Sequence, residues 1–333
     1  MSKIRVAING FGRVGRCAFK IALEKKKLEV VAVNDLTDPK TLAHLLKYDT
    51  AYGVYERAVS AGDGFFMVDK KKFPVLAEKD PTKLPWANLK VDVVLECTGI
   101  FTKDGMAKMH LQAGARRVIV SAPTTGVGGI KTIILGVNDS SYRDDSVVSN
   151  ASCTTNSLGP VAQVILDNLG IRKAMMTTVH SYTADQNLQD GPHRDLRRAR
   201  AAAQNIVPTT TGAAISITEA IPELKGKFDG IALRVPTITG SLTDFTFLVG
   251  RSTNVDEVNN FFRAAAKLKR WQGILAVTDD PVVSSDIVGS SFSSIVDLGL
   301  TRVVDGDLVK VLAWYDNEWG YANRLIEQVI MVA

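Results

Sequence analysis

The chain has 333 residues, 46% apolar and 23% charged, with a formal charge of +5. Those values exclude a disordered or low-complexity chain and leave room for two domains. No apolar run reaches the ~18 to 20 residues of a membrane helix. Three cysteines without a Cys-x-x-Cys spacing exclude a disulfide framework and a thiolate metal site, and point to a reducing compartment. The mild positive charge suits anionic substrates as well as weak nucleic-acid contact.

The opening Met1-Ser-Lys-Ile-Arg-Val-Ala-Ile8 reads as a strand with no signal-peptide core, so a cytoplasmic enzyme is expected. Lys3 to Asn9 is short and β-branched, and Gly10-Phe-Gly12-Arg-Val-Gly15 follows at once. A helical pattern through Phe19, Ile21 and Leu23 leads to a second strand, Leu28 to Asn34, closed by Asp35. This is the Rossmann order of strand, Gly-x-Gly-x-x-Gly, helix, strand and acid. Gly10 allows the tight turn, Gly12 lets backbone approach a pyrophosphate, and Gly15 lets helix pack on strand. The helix N-terminus supplies N–H groups and a positive dipole end to the pyrophosphate. Asp35 would accept from ribose hydroxyls and repel a 2′-phosphate, which selects NAD over NADP. A glycine-rich turn before an ordinary surface helix would leave Asp35 unexplained.

Tyr48 to Ala77 reads as short strands and turns. Lys90 to Glu96 is a strand running into Cys97-Thr-Gly99, Asp104 to Ala113 is helical, and Arg117 to Ser121 is another strand. Loops at the carboxyl ends of such strands carry ligands, so Thr98, Gly99 and Ser121 are candidate cofactor contacts. Cys17 and Cys97 read as structural. After a polar turn at Tyr142 to Asp145, the first half hands over near Ser149-Asn-Ala-Ser-Cys-Thr-Thr-Asn156. There Cys153 stands at the start of a helical run, where the dipole and unpaired N–H groups favour thiolate. Read alone, it is an inert core cysteine. His180, closing the strand Met175 to His180, turns it into half of a nucleophile–base pair.

Thr183 to Gly212 is long, polar and basic, expected to begin as loop and turn helical through Asp195 to Gln204. With no interleaved aromatics it reads as a solvated face or subunit contact, and nucleic acid is not a primary partner. Pro208 to Gly212 reads as a hydroxyl-rich turn opening a helix at Ala213 to Ile221, either an anion site or an ordinary cap. Strands are expected at Gly230–Val235, Ser241–Val249, Ser291–Val296 and Leu308–Trp314, with a helix at Val255–Leu268 and a terminal helix after Tyr321. The fold class is α/β: a Rossmann-type dinucleotide-binding domain, then an α+β catalytic domain with a large mixed sheet.

Asn9–Arg16, Ser149–Asn156, His180–Gln186, Asp195–Arg200, Pro208–Ala214 and Trp314–Tyr321, in this order and spanning nearly the whole chain, closely resemble the motifs of the phosphorylating glyceraldehyde-3-phosphate dehydrogenases. The resemblance implies NAD-dependent oxidation of D-glyceraldehyde 3-phosphate with inorganic phosphate to 1,3-bisphosphoglycerate. It implies that Cys153 is the nucleophile and His180 its base. It implies cofactor contacts at Gly10, Gly12, Arg13, Val14, Asp35, Lys79, Ser121 and Asn317. Ser152, Thr154, Thr211 and Gly212 match the inorganic-phosphate site. Thr183 and Arg234, with Arg198 in the same region, match the site for the substrate's own phosphate. A homotetramer is implied, with the terminal helix, 317–333, joining the cofactor domain 1–151, and 152–316 forming the catalytic domain. Lys79 stands where many members carry arginine. Gly191-Pro192 and Thr124–Gly129 also depart from the common pattern.

The implied chemistry is coherent. A thiolate attacks an aldehyde, hydride leaves the hemithioacetal, and the resulting thioester is collected by phosphate. The Cys153 N–H and the His180 imidazolium would stabilise the oxyanion. Erythrose-4-phosphate dehydrogenase and semialdehyde dehydrogenases are rival readings. Thr183 and the intact Thr209-Thr-Thr-Gly212 speak against the first, and Thr183 with Arg234 against the second. A binding protein on a vestigial enzyme fold is the rival from another class, and the filled catalytic positions give no reason for it.

Overall fold

The computed structural model describes residues 3–333, so Met1 and Ser2 of the opening strand lie outside the described residues. The chain divides into two compact units. One comprises residues 1–133, 141–151 and 322–333, the other 134–140 and 152–321.

In the first unit, nine strands of the described residues form one sheet. The order is Lys131–Thr132, Val147–Ser149, Arg117–Val120, Val93–Glu96, Ile4–Asn9, Leu28–Asn34, Lys71–Leu76, Phe65–Val68 and Val59–Gly62. Pairing is parallel through Lys71–Leu76 and antiparallel for the last two strands. Buried on both faces, the central strands are continuous apolar runs such as Val93-Val-Leu95. The helix Arg13–Glu24 lays an apolar face on the sheet. Phe11, Phe19, Phe66 and Phe73 interlock there, with Phe19 and Phe73 ring centroids 4.9 Å apart edge to face. Strand order reverses at Ile4–Asn9, which makes its carboxyl end the switch point where such sheets take ligands. The expected helix Asp104–Ala113 is shorter, a 3-10 turn at Met106–Lys108 and one α turn at Met109–Gln112. Gly105, at φ 71°, precedes it.

The second unit holds a mixed eight-stranded sheet among the described residues. Ile171–Ser181 lies parallel to Phe228–Val235 and antiparallel to Ser241–Val249, which pairs with Leu308–Tyr315. Ser241–Val249 alternates strictly between buried and half-buried residues. The helix Cys153–Leu169 packs against the sheet and the helices Ala213–Ala220 and Val255–Ala265. It is capped at Ser152, whose hydroxyl accepts the Thr155 N–H at 3.0 Å.

Two local expectations are corrected. Asp195 to Gln204 is not helical but a chain of turns. Asp195 Oδ1 accepts the Arg197 N–H at 2.9 Å and Asp190 Oδ1 accepts the Ala201 N–H at 2.9 Å. The Asn187 backbone exchanges bonds with Arg198 and Ala202. Two aspartate side chains and the Asn187 backbone have taken the groups a helix would need. Pro208 to Thr210, read as part of a turn, instead belong to a strand, Val207–Thr210, paired antiparallel with Phe228–Val235.

Candidate active site

Cys153 is the first residue of its helix. The residue two before it, Ala151, is buried with φ 54°, a left-handed conformation that costs a non-glycine residue about 1–3 kcal/mol. His180 comes from the adjacent sheet, where its strand is in register with Arg234 on the parallel neighbour. The Cys153 Sγ lies 3.4 Å from His180 Nε2. On the far side of the ring, Nδ1 lies 2.6 Å from the Ser181 carbonyl and 2.8 Å from Arg234 Nη1. Arg234 Nη1 has its own acceptor in that carbonyl at 3.2 Å. Nδ1 therefore carries the imidazole proton, and Nε2 presents a lone pair to the sulfur.

Burial pushes the Cys153 thiol up, against the expectation that the helix start alone would favour thiolate. Arg234 and bonds from Thr154 and the helix backbone pull it back down. Burial, with the Arg234 charge, pushes His180 down to about 3. Each group alone is thus held neutral. Passing the proton from Sγ to Nε2 creates two opposite charges in contact, and each then stabilises the other.

Tyr315, buried at the end of its strand, was not singled out by sequence reasoning. Its hydroxyl joins Thr154 Oγ1 at 3.0 Å and Thr178 Oγ1 at 2.8 Å, and its ring stands edge-on to His180 at 6.0 Å. It steadies both the helix start and the imidazole. Inward alternation along Leu308–Tyr315 was the available signal.

The remaining second-unit candidates are placed as follows. Thr183 donates its N–H to Gln186 Oε1 at 3.3 Å. Arg198 pairs with Asp185 and, at 3.4 Å, Asp195, and reaches the Thr210 carbonyl at 3.4 Å. Thr211 Oγ1 accepts the Ala213 N–H at 3.2 Å, while Gly212 is the cap residue of that helix with no side-chain bond. Asn317 is buried, its Oδ1 accepting from Ser241 Oγ at 2.9 Å and Gly240 N–H at 3.2 Å.

In the first unit, Gly10 has φ 92°, and a Cβ there would lie 2.7 Å from the Thr98 nitrogen. A Cβ on Gly15 would run into the Gly10 carbonyl oxygen, whereas one on Gly12 would meet nothing within 4 Å. The turn is closed underneath and open at Gly12, which fits a pyrophosphate lying against backbone. Arg13 bonds Asp49 at 2.8 Å, Val14 is half-buried, and Lys79 is exposed. Asp35 Oδ2 accepts the Phe11 N–H at 2.7 Å and so braces the turn. Ser121 bonds the Cys97 thiol, which burial pushes up to about 12 and which is therefore unreactive.

A parallel sheet with a dinucleotide turn, in a chain whose other unit pairs a cysteine with a histidine, is the equipment of an NAD-dependent oxidoreductase. Residues 4–104 match the model of the glyceraldehyde 3-phosphate dehydrogenase NAD binding domain, and residues 152–317 that of its C-terminal domain. Glyceraldehyde-3-phosphate dehydrogenases of Mycobacterium tuberculosis and Mycolicibacterium smegmatis are each 54% identical to the chain, covering 99% of it and 98% of the relative. Glyceraldehyde-3-phosphate dehydrogenase 2 of Streptomyces arenae is 52% identical with the same coverage. The chain belongs to the glyceraldehyde-3-phosphate dehydrogenase family.

Proposed function

We propose that the chain oxidises D-glyceraldehyde 3-phosphate with inorganic phosphate, through a thioester on Cys153. The observation that carries this reading is the 3.4 Å contact of Sγ with His180 Nε2, beside the half-buried Arg234. His180 takes the thiol proton, and the thiolate adds to the aldehyde carbon. The alkoxide so formed is stabilised by the Cys153 N–H and the imidazolium. When bound, NAD supplies the acceptor for the hydride that leaves that carbon. The thioester left on sulfur keeps its carbonyl reactive, and attack by phosphate releases an acyl phosphate and returns the thiolate.

Two anions must be held. Arg234 and Thr183, with Arg198 nearby in sequence pattern, are assigned to the phosphate carried by the substrate. Ser152, Thr154, Thr211 and Gly212 are assigned to inorganic phosphate; the helix starts at Cys153 and Ala213 would supply N–H groups to it. Gly10, Gly12, Arg13, Val14, Asp35, Lys79 and Ser121 are assigned to NAD, and Asn317 to its carboxamide. The cofactor domain is taken as 1–151 with 317–333 and the catalytic domain as 152–316.

We also infer a homotetramer. Met175 and Ile231 on the sheet of the second unit are 64% and 49% exposed, and Leu196 in the basic loop is 81% exposed. Apolar residues so placed need a covering surface, and a second copy provides one. A cytoplasmic location accords with three free cysteines. Among the described residues no helix is long and apolar enough to cross a membrane.

The test is NADH formation from glyceraldehyde 3-phosphate and from erythrose 4-phosphate, each with and without phosphate. Phosphate-dependent turnover of the triose phosphate is expected. Preferred, phosphate-independent turnover of the tetrose would refute the reading.

A further inference from the structure

The chemistry above makes no use of a buried polar chain in the first unit. Asn9 and Glu96 are each 1% exposed, and His110 and Trp86 are fully buried. Asn9 and Glu96 end adjacent parallel strands and are register partners. They meet at the switch point of the sheet, below the loops that would carry the dinucleotide.

The hydrogen bonds have one consistent assignment. Trp86 Nε1–H can only donate, and its partner at 3.0 Å is His110 Nδ1. His110 therefore carries its proton on Nε2 and donates it to Glu96 Oε2 at 2.9 Å. The same oxygen accepts from Asn9 Nδ2 at 2.5 Å. Glu96 Oε1 accepts the Thr98 N–H at 2.8 Å and the Thr98 hydroxyl. Four donors meet the two oxygens, which suits a carboxylate, an acceptor only.

Those donors come from three separate segments of the chain, at Asn9, Thr98 and His110. Asn9 leads into the Gly10 turn, and Thr98 lies in the loop after Glu96. Asn9 Oδ1 accepts from Asn34 Nδ2 at 2.6 Å, and Asn34 Oδ1 accepts the Glu78 N–H at 3.0 Å, which ties in the segment next to Lys79. One carboxylate thus registers three loops against each other.

We propose that Glu96, oriented by His110 and Trp86, is a positioning residue for NAD, fixing the glycine turn against the Thr98 loop. This rests on reading the glycine turn as the cofactor site. A burial cost for the charge is accepted where an apolar pair would have packed more cheaply. The arrangement is specific for carboxylate. Glu96→Gln keeps the shape but points an NH2 group at donors, so one of the two loops loses its partner.

The test is calorimetric titration of NAD into the wild-type protein, Gly12→Val and Glu96→Gln, with KM for NAD, kcat and Tm measured for each. The proposal expects Glu96→Gln to weaken NAD about tenfold or more. Its kcat at saturating NAD should stay within about twofold, because the chemistry lies in Cys153 and His180. Unchanged NAD affinity in Glu96→Gln, with only a lower Tm, overturns it while leaving the turn reading intact, provided Gly12→Val has lost NAD. Gly12→Val binding like wild type overturns the turn reading itself, and this proposal with it. Should Glu96→Gln fail to fold, Trp86→Phe and 15N histidine spectra of the wild type decide. A His110 Nε2–H tautomer and about threefold weaker NAD in Trp86→Phe support the chain of donors. A proton on Nδ1, or wild-type affinity in Trp86→Phe, overturns it.

Discussion

Arg234 stands in register with His180 on the neighbouring parallel strand, its Nη1 2.8 Å from the imidazole Nδ1. One guanidinium thereby faces both halves of the reaction: it lowers His180 and Cys153 together, and it is the half-buried cation assigned to the substrate phosphate. Arg234→Leu is expected to raise KM for glyceraldehyde 3-phosphate about 10- to 100-fold, the loss of a charge-assisted bond. It should also move the His180 titration to higher pH, since a repelling positive charge is gone. An unchanged KM, or a histidine titration moved to lower pH, contradicts the assignment.

Cys153→Ser is expected to abolish turnover and leave NAD affinity as in wild type, because the glycine turn is built in the other unit. His180→Asn should lower kcat by roughly 10² to 10⁴, the usual worth of a positioned base. The pH profile of iodoacetamide alkylation separates the two roles. Burial raises the thiol, so without an imidazole to take its proton the inflection should lie above its ordinary value of 9.0. In wild type the sulfur–imidazolium pair should bring it lower. Superimposable profiles would rule out His180 as the proton acceptor.

Asp35 serves two partners. It braces the turn through the Phe11 N–H at 2.7 Å and, in our reading, repels a 2′-phosphate. Asp35→Asn keeps an acceptor but removes the charge, so discrimination between NAD and NADP should fall about tenfold with little loss of NAD binding. Measured kcat/KM ratios with the two cofactors check this; wild-type discrimination in the variant would refute the electrostatic role.

Gly15→Ala places a methyl group against the Gly10 carbonyl oxygen. Overpacking of that kind costs about 1–3 kcal/mol. Urea denaturation should show the loss and calorimetry a weakened NAD. Wild-type values for both would mean that the turn is not as tightly closed as described.

Much of the fold was legible because its signals are local. Gly10 and Gly15 announce a turn that no side chain can enter, and Ser241–Val249 shows its half-buried face by alternation. Cys153 and His180 could be paired by residue type, but their contact depends on a helix start meeting a sheet strand, and no local pattern encodes that. Asp195–Gln204 misleads because its composition favours helix while Asp190, Asp195 and Asn187 draw off the backbone groups. The left-handed Ala151 carries no signal, alanine having no preference for that conformation. The link from Trp86 through His110 to Glu96 and Asn9 joins residues far apart in sequence, so only the folded sheet reveals it.

The central claim is that an acyl group waits on Cys153 for phosphate. The most direct measurement is a rapid-mixing experiment with saturating NAD and glyceraldehyde 3-phosphate, followed by mass spectrometry of the quenched protein. Without phosphate, the account predicts a burst of about one NADH per subunit and an acyl adduct on the Cys153 peptide. Phosphate or arsenate should then restore steady turnover and clear the adduct. Equal steady turnover in the absence of both anions, with no adduct on Cys153, would contradict it.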